Sequence, residues 1–523
     1  MMQVFSYFSI PEWVPLILAA GFLLYLHASR YRNYWKDQNV PHENFSLFFG
    51  STFQLIFKPF QVVEGALYKK YGRLFGSFED GKPVLYVAEP ELLKDIFVKD
   101  FALSQRVNPK FDDPYLANMM TVVPPKEWKK IRSATSPAFT TGKLRKMHDL
   151  IEQSAQHMSR KLKNAAEKEL DVDMKRFYGH FTLDVTASCA FGTKLGNDSE
   201  DTSNFVISAK NAFFAKITFL VAIQVFFQRF MKTLRKNIFN MDAFEFYKEA
   251  TMSIIQKRKE GKQVHDDFLQ MMLNAQDEAV STASEITESR DQEIFDVDSE
   301  LQSKKSTAVK NLTEEEALAQ CVLFFLAGQD TASTLASFTS YILAVNPEVQ
   351  EKLRKEVDNC FEKHGGSPTY DAISKLSYLN GVISETLRMF PPAPRLERSP
   401  MVDYVLGETG IKVPKDSVIA IPVYSMHHDP EFFPDPHTFN PERFIGENTS
   451  SIRPYTYLPF GAGPRNCIGM RFALQTVKTC ILHAVHNVEF IRTPRTKVPL
   501  ELHPGFGLLN PKDLTVGLRL RKL

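Results

Sequence analysis

A single cysteine, Cys467, stands in the stretch Phe460 to Gly469 (FGAGPRNCIG), preceded by two glycines and a proline and followed by the apolar run Met470 to His486. Gly461, Gly463 and Pro464 interrupt any helix or strand, and glycine lets the backbone turn tightly and approach a flat ligand closely. The run after Cys467 reads as a helix, whose N-terminal dipole and free N–H groups favour a thiolate over a thiol. Arg465 offers a planar fork suited to a carboxylate. A cysteine between glycines is ordinarily a structural thiol, but an ionised sulfur beside a cation on a glycine-braced loop is suited to hold an anionic metal cofactor.

Three other groupings could do chemistry. Ala327 to Thr331 (AGQDT) lies inside an otherwise apolar segment. A mid-helix glycine costs about 1 kcal/mol relative to alanine, and a buried acid costs more unless paired or hydrated. Two such violations in one turn mark a functional site. Trp128 and Arg132 are four residues apart and share a face of a helix. Glu385 and Arg388, at i and i+3, do the same, a pattern also common on exposed helices.

These residues need long helices to position them. Thr313 to Glu316 is a capping box that opens a helix running to about Val345, apolar nearly all round and therefore expected to cross the core. Asp80-Gly81 between two apolar runs predicts a hairpin. Residues 281 to 312 read as a polar surface linker, and Trp35 to Phe57 as a connector. The 523 residues are 44% hydrophobic and 24% charged, which supports a large core. A net charge of +2 excludes the basic stripe of a nucleic-acid binder. The five cysteines form no C-x-x-C pair, which excludes the usual zinc spacings and a disulfide framework. Cys189, Cys321 and Cys480 are expected to pack in the core.

Residues 4 to 28 are almost uniformly apolar and are followed at once by Arg30, Arg32 and Lys36. A helix of ~20 such residues spans a bilayer, and the positive-inside rule then puts the body of the protein in the cytosol. A cleaved signal peptide would want basic residues before the apolar run. The expected organisation is an anchor over 1–29 and one catalytic domain over 30–523. On that topology the sequons at Asn197, Asn311 and Asn448 carry no sugar.

The Cys467 stretch fits F-x-x-G-x-R-x-C-x-G at Phe460, Gly463, Arg465, Cys467 and Gly469, and it resembles the haem-binding loop of the cytochrome P450 monooxygenases. The resemblance covers roughly residues 30 to 520 through four motifs in family order. It implies a mainly α fold with smaller β-sheets, with haem between the long central helix and the cysteine loop, in addition to the N-terminal transmembrane helix. By resemblance Cys467 is the axial iron ligand, on a loop where Phe460 also contacts the cofactor. Arg465, Trp128, Arg132 and Arg398 neutralise the haem propionates. Asp330 and Thr331 pass protons to oxygen where the central helix widens. Ala332 replaces a second hydroxyl common among relatives, with Ser333 as its substitute. Glu385, Arg388 and Arg443 (in NPERF) form a structural charge triad, and Ala393 and Pro394 line the pocket.

The implied reaction inserts one oxygen atom from dioxygen into a lipophilic substrate such as a xenobiotic, steroid or fatty acid. No G-x-G-x-x-G follows a strand, so electrons come from NADPH through a separate NADPH-cytochrome P450 reductase, with cytochrome b5 as an optional second donor. Lys126, Lys129, Lys130, Lys143, Arg145 and Lys146 form a basic cluster that could steer such a donor. The aromatic segment Phe205 to Phe230 corresponds to the substrate-access lid. The overall likeness is to microsomal drug-metabolising enzymes of animals, which implies a single-pass protein of the endoplasmic reticulum membrane. A haem-thiolate isomerase or dehydratase is the alternative enzyme, although such relatives typically lose the acid-alcohol pair. A non-catalytic haem sensor is the alternative outside catalysis.

Overall fold

The long apolar segment after Thr313 is the axis of the molecule, seen here in a computed structural model. The structure describes residues 13–45, 54–55, 57–79, 82–105, 113–192, 241–261, 267–277, 312–505 and 507–521. Helices run in the order α1 (Trp13–Ser29), α2 (Phe60–Tyr71), α3 (Pro90–Lys94), α4 (Pro114–Ala117), α5 (Pro125–Thr135), α6 (Thr141–Glu167) and α7 (Met174–Phe191). They continue with α8 (Met241–Gly261), α9 (Phe268–Asp277), α10 (Glu314–Val345), α11 (Pro347–Lys363), α12 (Tyr370–Ser374), α13 (Ser377–Met389), α14 (Val423–His427) and α15 (Met470–Asn487).

The expected capping box opens α10. Thr313 Oγ1 accepts from the Glu316 amide at 3.1 Å, and Glu316 Oε2 accepts from the Thr313 amide at 2.8 Å. Leu318, Val322, Phe325, Leu335 and Phe338 are all buried around its circumference, as a helix crossing a core requires. It packs against α7, α15, α9, α8 and α13. The helix that follows the cysteine loop therefore lies directly against the central one.

Among the described residues ten strands accompany this helical body. β1 (Leu74–Glu79), β2 (Lys82–Val87), β8 (Val418–Ile421), β5 (Leu396–Pro400) and β3 (Ser104–Gln105) form one sheet in the order β1-β2-β8-β5-β3. β4 (Asp171–Asp173), β10 (Thr515–Leu520) and β9 (Val488–Ile491) form a second, and β6 (Tyr404–Val405) pairs with β7 (Lys412–Val413). The predicted hairpin is present, with Glu79 opposite Lys82 in an antiparallel register. The fold is thus mainly helical with small sheets, as the sequence implies.

Two expectations are revised. The connector after the anchor is partly core: Trp35 is fully buried, donates through Nε1 to Ser77 O at 2.9 Å, and lies where a Cβ on Gly76 would come within 2.3 Å of its ring. Leu312, at the end of the supposed linker, is 4% exposed and belongs to the core beside α10. Of the apolar stretch from residue 4 to 28, α1 holds the part from Trp13 onward, and residues 4–12 lie outside the described residues. Among the described residues no helix is long and apolar enough to cross a membrane. The segment 205–230, most of 281–312, and the sequons at 197 and 311 lie outside the described residues. Asn448 is exposed and its Nδ2 donates to Glu442 O at 2.9 Å.

Candidate functional site

Four cysteines are buried on helices, and burial pushes the thiols of Cys189, Cys321, Cys360 and Cys480 up from their ordinary range. Cys467 alone is exposed, although Arg465 and Asn466 beside it and Met470 after it are buried. Its accessibility is built by the loop. Gly461 and Gly463 adopt φ of +74° and +70°, a region in which side chains are strained. A Cβ on Gly463 would lie 2.2 Å from Phe97 O, so only glycine allows this approach. The Cys467 amide donates to Phe460 O at 2.9 Å and closes the loop on its own first residue.

Cations and rings surround that sulfur-bearing loop. The Arg465 guanidinium, 4% exposed, stacks over Trp128 at 4.2 Å, an arrangement worth up to ~2 kcal/mol when desolvated. Arg132 donates to Asn466 O at 3.0 Å and to Asn466 Oδ1 at 2.8 Å. The paired positions of Trp128 and Arg132 on α5 are thus both turned to the residues just before Cys467. Arg398, on β5 and equally buried, lies over Phe97 at 4.8 Å, the residue against which Gly463 closes. Phe460 is half-buried and packs on the main core, and Pro394 is buried while Ala393 is half-buried.

The structure therefore brings Cys467, Arg465, Trp128, Arg132, Arg398 and Phe460 onto one loop and its two neighbours. An accessible sulfur donor, guanidinium groups for carboxylates and a glycine cradle match the needs of a flat, doubly carboxylated metal cofactor held by thiolate.

The polar turn of α10 presents a different arrangement. Thr331 Oγ1 donates back to Ala327 O at 2.8 Å, and Thr334 Oγ1 to Asp330 O at 2.7 Å. These back-bonds accompany an unbroken helix, whereas resemblance implies a widened turn. Asp330 is 7% exposed and its Oδ1 accepts from Lys175 Nζ at 2.7 Å. The same ammonium reaches Asp330 O at 2.9 Å, Ser333 Oγ at 3.0 Å and Thr334 Oγ1. Thr182 Oγ1 donates to Gln329 O at 3.0 Å. A Cβ on Gly328 would meet Thr186 Oγ1 at 3.5 Å, an ordinary contact, so packing against α7 does not demand the glycine.

Lys175 and Thr182 were not legible as partners of this turn. The only hint was that a buried Asp330 needs a cation, with nothing to say which one. Ser333 does join the Asp330 cluster. Within the basic cluster Lys130 is paired with Glu316 at 2.6 Å and Arg145 with Asp371 at 2.8 Å, while Lys126, Lys129, Arg145 and Lys146 are exposed.

Behind the loop the triad forms as expected. Arg388 Nε and Nη2 donate to Glu385 at 2.7 and 2.8 Å, with both side chains fully buried, and Arg443 Nε adds a contact at 3.4 Å.

Comparison with known proteins agrees with this geometry. The family model described as Cytochrome P450 matches residues 40–516. Cytochrome P450 3A41 of Mus musculus is 35% identical over 518 residues, which covers 98% of this chain and 97% of that protein. Cytochrome P450 3A5 of Homo sapiens is 33% identical over 523 residues, covering 98% and 97%.

Proposed function

Because the chain belongs to the cytochrome P450 family, and is a haem-thiolate monooxygenase by that membership, we propose that Cys467 is its axial ligand and that it oxygenates lipophilic substrates with electrons from a separate reductase. The observation that carries this reading is the one accessible thiol, on a loop tied to Arg132 and stacked with Trp128 through Arg465.

Haem supplies, when bound, the activation of dioxygen and the insertion of one oxygen atom. The residues of the chain do the rest. Cys467 would hold the iron and supply it with electron density. Arg465, Arg132, Arg398 and Trp128 bind the propionates and fix the cofactor's orientation. Thr331 presents a hydroxyl on α10, and Asp330 would pass on a proton that the Lys175 ammonium gives to Oδ1 and, being partly exposed, regains from solvent. Ser333 and Thr334 keep that lysine in place.

The apolar stretch of residues 4 to 28, with Leu18, Phe22, Tyr25 and Leu26 exposed on α1, supports an anchor in the endoplasmic reticulum membrane and a cytosolic body. It also supports xenobiotics or steroids, entering from the lipid phase, as the substrate class. The exposed Lys126 and Lys129 on α5 support docking of an acidic electron donor on the cysteine side.

Replacing Cys467 by serine tests the reading. The reduced carbon monoxide complex should lose its thiolate-type absorption band, and NADPH consumption with added reductase should fall to background. A variant that keeps its pigment, spectrum and turnover overturns it.

A further inference from the structure

His427 ends α14 with no solvent exposure, and every polar atom it offers is used. The Leu458 amide donates to His427 Nε2 at 2.9 Å, which makes that nitrogen an acceptor. His427 Nδ1 lies 3.1 Å from Arg388 O, and a carbonyl can only accept, so the proton is on Nδ1. The backbone oxygen of His427 accepts from Arg388 Nη1 at 2.7 Å. Only the neutral imidazole, in this tautomer, satisfies both contacts. Burial, with the nearby charges of His428 and Arg388, accordingly holds its pKa well below the usual histidine range. The ring stacks on Tyr457 at 5.3 Å, and Tyr457 OH donates to Ser384 O at 2.8 Å.

The chain beyond Leu458 leads straight to the sulfur. Leu458 O accepts from the Gly461 amide at 3.1 Å, and Phe460 O accepts from the Cys467 amide at 2.9 Å. An unbroken series of contacts thus runs from the buried Glu385–Arg388 pair, through one imidazole, to the amide of the cysteine. The Leu458 N–H precedes a proline and is itself buried, where a donor left without a partner is costly.

We infer that His427 is a positioning residue for the Cys467 thiolate: its Nε2 fixes the start of the 458–467 loop to the Glu385–Arg388 pair and thereby sets where the sulfur stands. The inference rests on the assignment of Cys467 as the ligand, which the serine variant tests separately.

Four variants of the full-length haem protein test it. His427→Asn keeps a donor for Arg388 O but cannot reach Leu458, and His427→Phe keeps the ring but neither bond. His427→Gln places an acceptor near the original Nε2. Phe433→Leu thins the packing beside the same ring, whose centroid is 6.1 Å away, without touching either bond.

The readouts are the share of the reduced carbon monoxide complex carrying a protonated thiol, and hydrogen exchange of peptides covering 458–467. In His427→Asn and His427→Phe the thiol form should become the major species, and exchange in the loop should quicken on the order of tenfold, the loss of one ordinary hydrogen bond. His427→Gln should return most of the thiolate form, and Phe433→Leu should melt earlier with its spectrum unchanged. The inference is overturned if Asn and Phe variants keep the parent spectrum, if Gln falls as far as Asn, or if Phe433→Leu shifts the spectrum as much as they do. Should the Asn and Phe variants not accumulate as haem protein, His427→Gln decides: a thiolate spectrum supports the inference and a thiol spectrum ends it.

Discussion

Glu385 and Glu64 are carboxylates with 0% and 1% exposure, yet donors surround the first and none reaches the second. Glu385 receives two bonds from Arg388, a third contact from Arg443 at 3.4 Å and the Asn440 amide at 3.0 Å. Neither oxygen of Glu64 has a hydrogen-bond partner. Arg395 is the cation that opposes the effect of burial on it. That guanidinium is already taken by Glu79 at 2.7 and 3.2 Å and lies 2.9 Å from Glu397. Burial therefore pushes Glu64 up to about 8, with Glu79 and Glu397 adding to the effect. Two guanidinium groups converge on the one buried carboxylate, whereas three acids share a single guanidinium at the other, and there the charged form of Glu64 is disfavoured. The saturated cluster lies behind the cysteine loop, and the acid-rich one lies where α2 meets the large sheet.

Glu385→Gln should break the saturated cluster most severely. It leaves the buried Arg388 guanidinium, and the partly buried one of Arg443, without a counter-charge, a loss of about 3–5 kcal/mol from a total stability of only about 5–15 kcal/mol in ordinary proteins. Little haem protein should accumulate, and what does should lose its pigment on mild heating. Arg395→Met should be milder, about 1–3 kcal/mol, because Glu79 and Glu397 are 30% and 35% exposed and water can reach them. Melting temperatures of the two variants measure the contrast. Equal losses would show that saturation is not what separates the clusters.

Asp330 stands between these extremes. One oxygen is held by a lysine that is 24% exposed, and Oδ2 has no hydrogen-bond partner. A half-satisfied acid is suited to move and to transfer a proton, where a saturated one is suited to lock. Asp330→Asn should lower turnover by about 10²-fold, the low end of general-acid contributions. The substrate-induced change in the haem absorption band and the melting temperature should stay near those of the parent. A variant that instead unfolds as Glu385→Gln does would make Asp330 a structural residue.

The same contrast explains what the sequence made legible. The cysteine loop is a local object: glycines, arginine and cysteine within ten residues determine its turn and its chemistry, and all of them were readable. The capping box of α10 and the hairpin of β1 and β2 are local in the same sense. Glu385, Arg388 and Arg443 became readable only through a family pattern, since 58 positions separate Glu385 from Arg443. Lys175 and His427 were missed because their meaning lies in partners 155 and 31 positions away, and nothing in their own surroundings distinguishes them from a surface lysine or a packed histidine. Composition showed that α10 would be buried, but not which of its polar atoms would face α7.

Glu64→Gln produces the smallest change and the sharpest test of the comparison, because glutamine has nearly the same shape and never ionises. In the folded protein Glu64 keeps its proton up to about pH 8, whereas in the unfolded chain it loses it near pH 4.3. Between those values the folded state holds one proton more than the unfolded state, so the glutamate contributes a stability that falls as pH rises, by at most about 1.4 kcal/mol per unit. Below that window the contribution is fully present, and above it the loss is complete. The gain in melting temperature of Glu64→Gln over the parent should therefore be smallest near pH 5, grow through pH 7 and level off above pH 8. A gain independent of pH would mean that burial does not hold the proton on Glu64, and the contrast between the two clusters would fall.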